Sequence, residues 1–167
     1  MKNWFLNLLF VCFTMAGYAQ VDSITPPFKK FPSLPPVQML LGDSTTMYTK
    51  KDVPIDKPVL VMIFSPDCSH CQHETEDMIA HMDELKDVHI VMITMQPLWM
   101  MKDFVEKYGL EKYSNIVVGK DTYYFTPGFF DIRNIPFMAI YNKKGKLIEG
   151  HGGTVPVTQL IEILNED

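Results

Sequence analysis

The chain has 167 residues, and 47% of them are hydrophobic, which excludes a disordered protein and favours a single domain with a real core. Its formal net charge is −5, and no run of basic residues is longer than two. A nucleic-acid-binding protein would show a basic patch or stripe instead, so we set that class aside.

The first 19 residues predict an export signal. An apolar run from about Trp4 to Met15 follows a lysine, and small residues stand at positions 17 and 19. This order is typical of a secretory signal peptide that is cleaved after Ala19. The run is shorter than the roughly 20 residues of a membrane span, and an uncleaved anchor remains the alternative. We therefore expect a periplasmic or otherwise exported protein, with membrane contact only if the segment is retained.

Residues 20–36 contain five prolines. Proline opposes helix formation and favours extended backbone, so this stretch predicts an extended linker. The folded domain is then expected over residues 37–167.

The pattern of the remaining chain predicts an α/β domain. A β-hairpin is expected over 37–49, and two continuous apolar runs at 58–64 and 88–95 are typical of parallel strands covered on both faces. Apolar residues at helical spacing between these runs predict a βαβ unit. The rest reads as a helix ending at Gly109, a short strand near 115–118, an aromatic segment, a hairpin with its turn at Gly145, and a last helix. Together these elements predict three α/β/α layers around a central mixed sheet, with an N-terminal β-hairpin.

The stretch "SPDCSHCQHE" (65–74) places Cys68 and Cys71 two residues apart, at the point where the first buried strand is followed by a helix. A disulfide between them would close a very short loop and would add little stability, which disfavours a purely structural crosslink. Cys12 lies in the signal segment, so these are the only two cysteines of the mature chain. A single close pair in an exported protein favours redox chemistry.

The two sulfurs are expected to differ. The free backbone N–H groups and the positive end of the helix dipole favour a thiolate at Cys68, with Asp67 or Ser65 expected to cap the helix. Cys71 begins the apolar stripe and should be more buried. Cys68 is therefore expected to form the mixed disulfide that Cys71 then resolves.

A metal site is the alternative. Cys68, His70, Cys71 and His73 are possible zinc or copper ligands, and the twelve methionines of the chain give slight support to copper. Under this interpretation the protein would resemble a metallochaperone. The redox interpretation predicts neither a metal nor a cofactor.

Two segments carry a family resemblance. "VLVMIFSPDCSHC" (59–71) and "IRNIPFMAIYNKKGKLIEGHGG" (132–153) resemble the thioredoxin-like superfamily, in particular the exported TlpA/ResA-like thiol:disulfide oxidoreductases, over roughly residues 37–164. The resemblance implies a thioredoxin-like fold, with Cys68 as the attacking sulfur and Cys71 as the resolving sulfur. It also implies a cis-proline loop at Ile135–Pro136, cysteine-containing protein substrates and a redox partner protein.

The proline loop has a physical rationale of its own. Pro136 has no N–H that could compete for the sulfur, and the backbone of Ile135 could pair with an extended substrate chain. A trans proline at the start of an edge strand is the alternative.

Some residues depart from the thioredoxin pattern. Asp67 replaces the usual aromatic residue before the first cysteine, and Met62 stands where thioredoxin has a buried acid. Glu74, one turn after Cys71, is then a candidate for proton transfer, the competing interpretation being a solvated surface glutamate. The spacer residues Ser69 and His70, together with Asp67, are candidates for tuning the pair or binding substrate.

Overall fold

The computed structural model describes residues 25–165. The predicted signal peptide and the first part of the predicted linker lie outside these residues. Within these residues the chain forms six helices and seven strands, in addition to two short 3-10 turns. In chain order they are α1 Pro27–Lys30, β1 Gln38–Leu41, β2 Met47–Thr49, β3 Val59–Ile63, α2 Ser69–Ala80, α3 Met82–Leu85, β4 His89–Thr94, α4 Leu98–Tyr108, β5 Ile116–Lys120, α5 Phe125–Phe130, β6 Phe137–Tyr141, β7 Leu147–Gly152 and α6 Val157–Asn165.

All seven strands form one mixed sheet in the order β2-β1-β5-β4-β3-β6-β7. Strands β3, β4 and β5 are parallel, whereas β6 runs antiparallel to β3 and the β1–β2 hairpin joins the sheet through β5. The carboxyl ends of the three parallel strands therefore lie at one edge of the sheet. The predicted mixed sheet with its N-terminal hairpin is confirmed.

The central strand β3 shows why the fold has three layers. Its five residues are all buried, and successive side chains point to opposite faces. Leu60 and Met62 belong to the core shared with α2, α3, α4 and α6. Val61 and Ile63 belong to a second core on the other face, shared with α1 and α5. A sheet that is apolar on both faces needs helices on both faces.

The predicted linker differs from the structure. Residues 27–30 form a short helix with Pro27 in its first turn, where the missing N–H costs no hydrogen bond. Phe28 and Leu34 are buried in the second core, and Ser33 forms a β-bridge with Lys146. This stretch is packed against the domain because its apolar side chains cover the face of the sheet that would otherwise be exposed.

Two further details differ from the expected pattern. The helix after Cys68 is interrupted at His81, so the apolar stripe continues into α3 through the buried residues Met82 and Leu85. The aromatic segment before β6 contains α5, with Pro127 in its first turn. Within residues 25–165, no helix is both long and apolar enough to span a membrane.

Candidate active site

The two cysteines lie at the sheet edge formed by the carboxyl ends of the parallel strands. Strand β3 ends at Ile63, and a short loop leads to α2, which begins at Ser69. The Phe64 N–H donates to the carbonyl of Ile93 on β4, which holds the loop to the sheet. The pair is therefore carried by two rigid elements and not by a free loop.

Cys68 is itself the residue that caps α2. Its backbone is extended (φ −82°, ψ 116°), and its Sγ accepts a hydrogen bond of 3.4 Å from the Cys71 N–H. The expectation that Asp67 or Ser65 would cap the helix is wrong. Because the sulfur occupies the capping position, a backbone donor and the helix dipole both stabilise negative charge on it. The side chain of Cys68 is partly exposed.

The loop before Cys68 is held by its own side chains. The Ser65 hydroxyl donates a hydrogen bond to the Asp67 carboxylate, and the Gln72 side-chain amide donates to the Pro66 carbonyl at 2.7 Å. Sequence reasoning did not find these roles of Ser65 and Gln72. Asp67, Ser69 and His70, which flank Cys68 in the sequence, are all exposed.

Cys71 is buried, with 0% of its surface exposed. Burial raises the pKa of the Cys71 thiol to about 12, and the neighbouring Cys68 sulfur and the Glu74 carboxylate act in the same direction. The Thr75 hydroxyl donates to the Cys71 carbonyl at 2.8 Å. Neither thiol is in a disulfide in this structure. The pair thus combines a reachable sulfur with a protonated, enclosed one.

Glu74 is also buried, with 3% of its surface exposed. One carboxylate oxygen accepts a hydrogen bond of 3.2 Å from the Val155 N–H, and the other has no hydrogen-bond partner in the structure. Burial raises the pKa of Glu74 to about 7, although the Val155 N–H opposes this change. The alternative of a solvated surface glutamate is therefore wrong. Val155 had no signal in the sequence because it acts through its backbone.

The Ile135–Pro136 segment faces Cys68. The Ile135–Pro136 peptide bond is cis, and the Cys68 thiol donates a 3.9 Å hydrogen bond to the Ile135 carbonyl. The Gly153 N–H donates to the Pro136 carbonyl at 2.8 Å, which ties this segment to the loop after β7. Ile135 and Pro136 precede β6, so the antiparallel pairing of β6 with β3 brings them next to the cysteines.

The possible metal ligands do not converge. Cys71 is fully buried, whereas His70 is exposed and the His73 side chain is 81% exposed, 4.0 Å from Glu76. In residues 25–165, no three His, Cys, Asp or Glu side chains are grouped as a metal ion would require.

Comparison with solved structures identifies the architecture. A thioredoxin-like protein from Aeropyrum pernix superposes with a TM-score of 0.64 at 14% sequence identity, covering 84% of this chain and 92% of that one. The protein has a thioredoxin-like fold. A Chlorobium tepidum protein designated thiol:disulfide interchange protein DsbE gives a TM-score of 0.65 at 15% identity over 78% of this chain and 92% of that one.

A third thioredoxin-like neighbour is a secreted Mycobacterium tuberculosis disulfide oxidoreductase homologous to the Escherichia coli protein DsbE. It has a TM-score of 0.63 at 16% identity and covers 76% of this chain and 92% of that one. Comparisons with family models and with curated proteins found no match. The predicted resemblance is thus confirmed at the level of the fold.

Proposed function

We propose that the protein is an exported thiol:disulfide oxidoreductase of the TlpA/ResA-like class, which exchanges a Cys68–Cys71 disulfide with protein substrates. The observation that carries this proposal is the contrast between the two sulfurs: Cys68 is partly exposed at the start of α2, and Cys71 is buried one turn later. Thiol–disulfide exchange needs such a pair and no cofactor, because the sulfurs themselves carry the electrons.

The reaction can be written with these two residues. A substrate thiolate attacks Cys68 Sγ of the disulfide form, the Cys68–Cys71 bond breaks, and Cys71 leaves and takes up a proton. A second substrate thiolate then attacks the substrate sulfur of the mixed disulfide, and Cys68 leaves as a thiolate. The substrate dithiol becomes a disulfide, and the protein gains two electrons. The reverse sequence reduces a substrate disulfide.

Glu74 suits the proton transfer that this reaction requires. Cys71, with its pKa near 12, must be protonated after it leaves and must lose its proton before it attacks. A carboxyl group with a pKa of about 7 can both donate and accept a proton at neutral pH. Thioredoxin has a buried acid at the position that Met62 occupies in this chain. In this proposal Glu74 is the proton-transfer group in place of that acid.

The segment at Ile135 and Pro136 suits substrate binding. Its backbone runs beside Cys68, and the proline adds no N–H donor there. An extended substrate chain could pair with the Ile135 backbone, which gives affinity with little dependence on sequence. The expected partners are cysteine-containing proteins and a second redox protein that resets the pair.

Two further observations support activity and export. The Chlorobium tepidum and Mycobacterium tuberculosis neighbours bear names of thiol:disulfide exchange proteins, and the latter is described as secreted. The pattern of the first 19 residues is that of a signal peptide, which favours a periplasmic or otherwise exported location.

The test is an exchange assay with cysteine variants. The purified chain should reduce insulin or isomerise scrambled ribonuclease, and Cys68→Ser should abolish this activity. Cys71→Ser should instead accumulate a mixed disulfide with the substrate, visible on a non-reducing gel. A Cys68→Ser variant with wild-type activity would contradict the proposed function.

A further inference from the structure

A small cleft opens between the loop that precedes α2 and one side of α4. Its volume is about 190 Å³, and its lining includes the buried Phe104 and six other residues, Pro66, Asp67, Trp99, Met100, Asp103 and Lys107. We refer to it as the Trp99 cleft. Pro66 and Asp67 directly precede Cys68, so a chain joined to the Cys68 sulfur passes close to this cleft.

Trp99 is the notable residue of the cleft. It is 65% exposed, although α4 buries Met101 and Phe104 in the core without it. Tryptophan is enriched among the residues that dominate protein interfaces. The exposed indole of Trp99 is therefore a candidate binding residue. Trp99, Asp103 and Lys107 are spaced four residues apart and so lie along one side of α4.

The size of the cleft limits what it can hold. A volume of about 190 Å³ lies below the roughly 300–1,000 Å³ of typical small-molecule sites. It suits one side chain of a bound protein segment better than a separate ligand.

The charge of the cleft selects that side chain. The lining carries two exposed carboxylates, Asp67 and Asp103, and one exposed ammonium group, Lys107, whose Nζ lies 4.7 Å from the centre of the Tyr108 ring. A lysine or arginine side chain can lay its aliphatic part or its guanidinium plane on the indole and pair its charge with a carboxylate. An acidic segment would meet two like charges. Asp67, which replaces the aromatic residue usual before the first cysteine of thioredoxins, would then pair with the basic side chain.

We propose that the Trp99 cleft binds a lysine or arginine side chain near the reactive cysteine of a protein substrate, so that basic segments react faster than acidic ones. This inference rests on the proposed exchange function and adds the substrate class. Trp99, Asp67 and Asp103 are then specificity-determining residues and take no part in the transfer of electrons.

The test compares two peptides that differ only beside their single cysteine, one with arginine and one with glutamate. Each carries a pyridyl disulfide on that cysteine, so that reaction with the reduced protein releases thiopyridone, which is followed by absorbance. The wild type should react about tenfold faster with the arginine peptide, a difference of about 1.4 kcal/mol. Neutral 2,2′-dithiodipyridine measures the intrinsic reactivity of the sulfur.

Three variants separate the cleft from general effects. Trp99→Ala should bring the ratio of the two peptide rates close to 1, and Asp103→Lys should reverse the preference. Ile55→Ala is the matched control, because Ile55 is 84% exposed and precedes β3 at the opposite edge of the sheet. It should keep both the wild-type ratio and the wild-type rate with dithiodipyridine. In the two cleft variants, the ratio of the two peptide rates cancels any change in the intrinsic reactivity of the sulfur. Equal rates for the two peptides in the wild type, or an unchanged ratio in both cleft variants, would overturn the proposal.

A binding measurement separates this proposal from the proposed function. Trp4→Phe leaves Trp99 as the only tryptophan, and a cysteine-free arginine peptide should then change its fluorescence while a glutamate peptide should not. Loss of exchange at Cys68 with this binding intact would contradict the proposed function alone. If the arginine peptide caused no fluorescence change, the proposal that the Trp99 cleft binds a basic side chain would be overturned.

Discussion

The Glu74 carboxylate accepts a hydrogen bond from the Val155 N–H across 81 residues of chain. This bond joins α2, which carries both cysteines, to the loop that leads into α6. The same loop holds the Pro136 carbonyl through the Gly153 N–H. The loop between β7 and α6 therefore holds both Glu74, the candidate proton-transfer group, and Pro136, in the candidate substrate-binding segment.

Replacing Glu74 should change how stability depends on pH. Burial raises the pKa of Glu74 from 4.5 to about 7, so the protonated carboxyl is favoured in the folded state. Its contribution is fully present below pH 4.5 and is lost as the pH rises through 7, a loss of about 3 kcal/mol. Glu74→Gln cannot ionise, so its free energy of unfolding relative to wild type should increase by about this amount between pH 4.5 and about pH 8.

Urea denaturation at several pH values measures this difference. Glu76→Gln is the matched control, since the Glu76 side chain lies on the same helix and is 59% exposed. If the free energy of unfolding changed with pH in the same way in wild type and Glu74→Gln, the Glu74 carboxyl would be solvated and the prediction would be wrong.

Alkylation should distinguish the two cysteines. Iodoacetamide reacts with thiolates, and Cys71 is both buried and protonated because its pKa is raised to about 12. At about pH 8 the reduced protein should be modified at Cys68 long before Cys71, as followed by peptide mass spectrometry. In concentrated urea both should react. Similar rates in the native protein would contradict the assignment of the attacking sulfur.

His70 should influence the equilibrium between disulfide and dithiol. It lies exposed in the spacer at the start of α2, where an imidazole can donate a hydrogen bond or present a positive charge to the Cys68 thiolate. Removing that stabilisation of the reduced form makes the disulfide less oxidising. His70→Ala should therefore shift the equilibrium constant against glutathione toward the disulfide.

His73→Ala is the matched control for this measurement. His73 is exposed on the same helix, and its Nδ1 lies 4.0 Å from the Glu76 carboxylate. An identical constant for wild type, His70→Ala and His73→Ala would remove His70 from the candidate site.

The contact between Gly119 and Met39 predicts a stability effect away from the cysteines. A Cβ at Gly119 on β5 would lie 2.5 Å from Cγ of Met39, which is completely buried on β1. Gly119→Ala should therefore destabilise the domain by about 1–3 kcal/mol through overpacking. Chemical denaturation measures this change.

Gly128 offers the opposite case in the same protein. It lies within α5, and a Cβ there would have no heavy atom within 4 Å. Gly128→Ala should leave stability unchanged or increase it by up to about 1 kcal/mol, because alanine favours helix. A loss in Gly128→Ala as large as that in Gly119→Ala would argue against a packing origin.

The elements that the sequence predicts correctly are those whose pattern reflects burial directly. The runs at 58–64 and 88–95 are apolar throughout because β3 and β4 are covered on both faces. Short helices are different, since one or two turns have little stability of their own. Helix α1 depends on Phe28 packing 5.9 Å from Phe130 and 5.5 Å from Phe137, ring centre to ring centre. No local pattern encodes such distant contacts.

The candidate site divides in the same way. The spacing of Cys68 and Cys71 and their position after an apolar strand were sufficient to predict a partly exposed sulfur and a buried one. The environment of Glu74 was not predictable, because its hydrogen-bond donor is the backbone N–H of Val155, which lies 81 residues further along the chain. The capping of α2 by a cysteine was missed because sulfur is a weak acceptor and ordinary capping residues stand nearby.

The packing of Phe28 against the sheet has a practical consequence for expression of the protein. A Cβ at Gly150 on β7 would approach the Phe28 ring to 2.4 Å, so glycine at this position gives the ring its space. A recombinant fragment that starts at Val37 would lack Phe28. The surface of β6 and β7 that Phe28 covers would then be exposed to water and could associate with a second copy of the fragment. A recombinant form of the domain should accordingly begin upstream of Pro27.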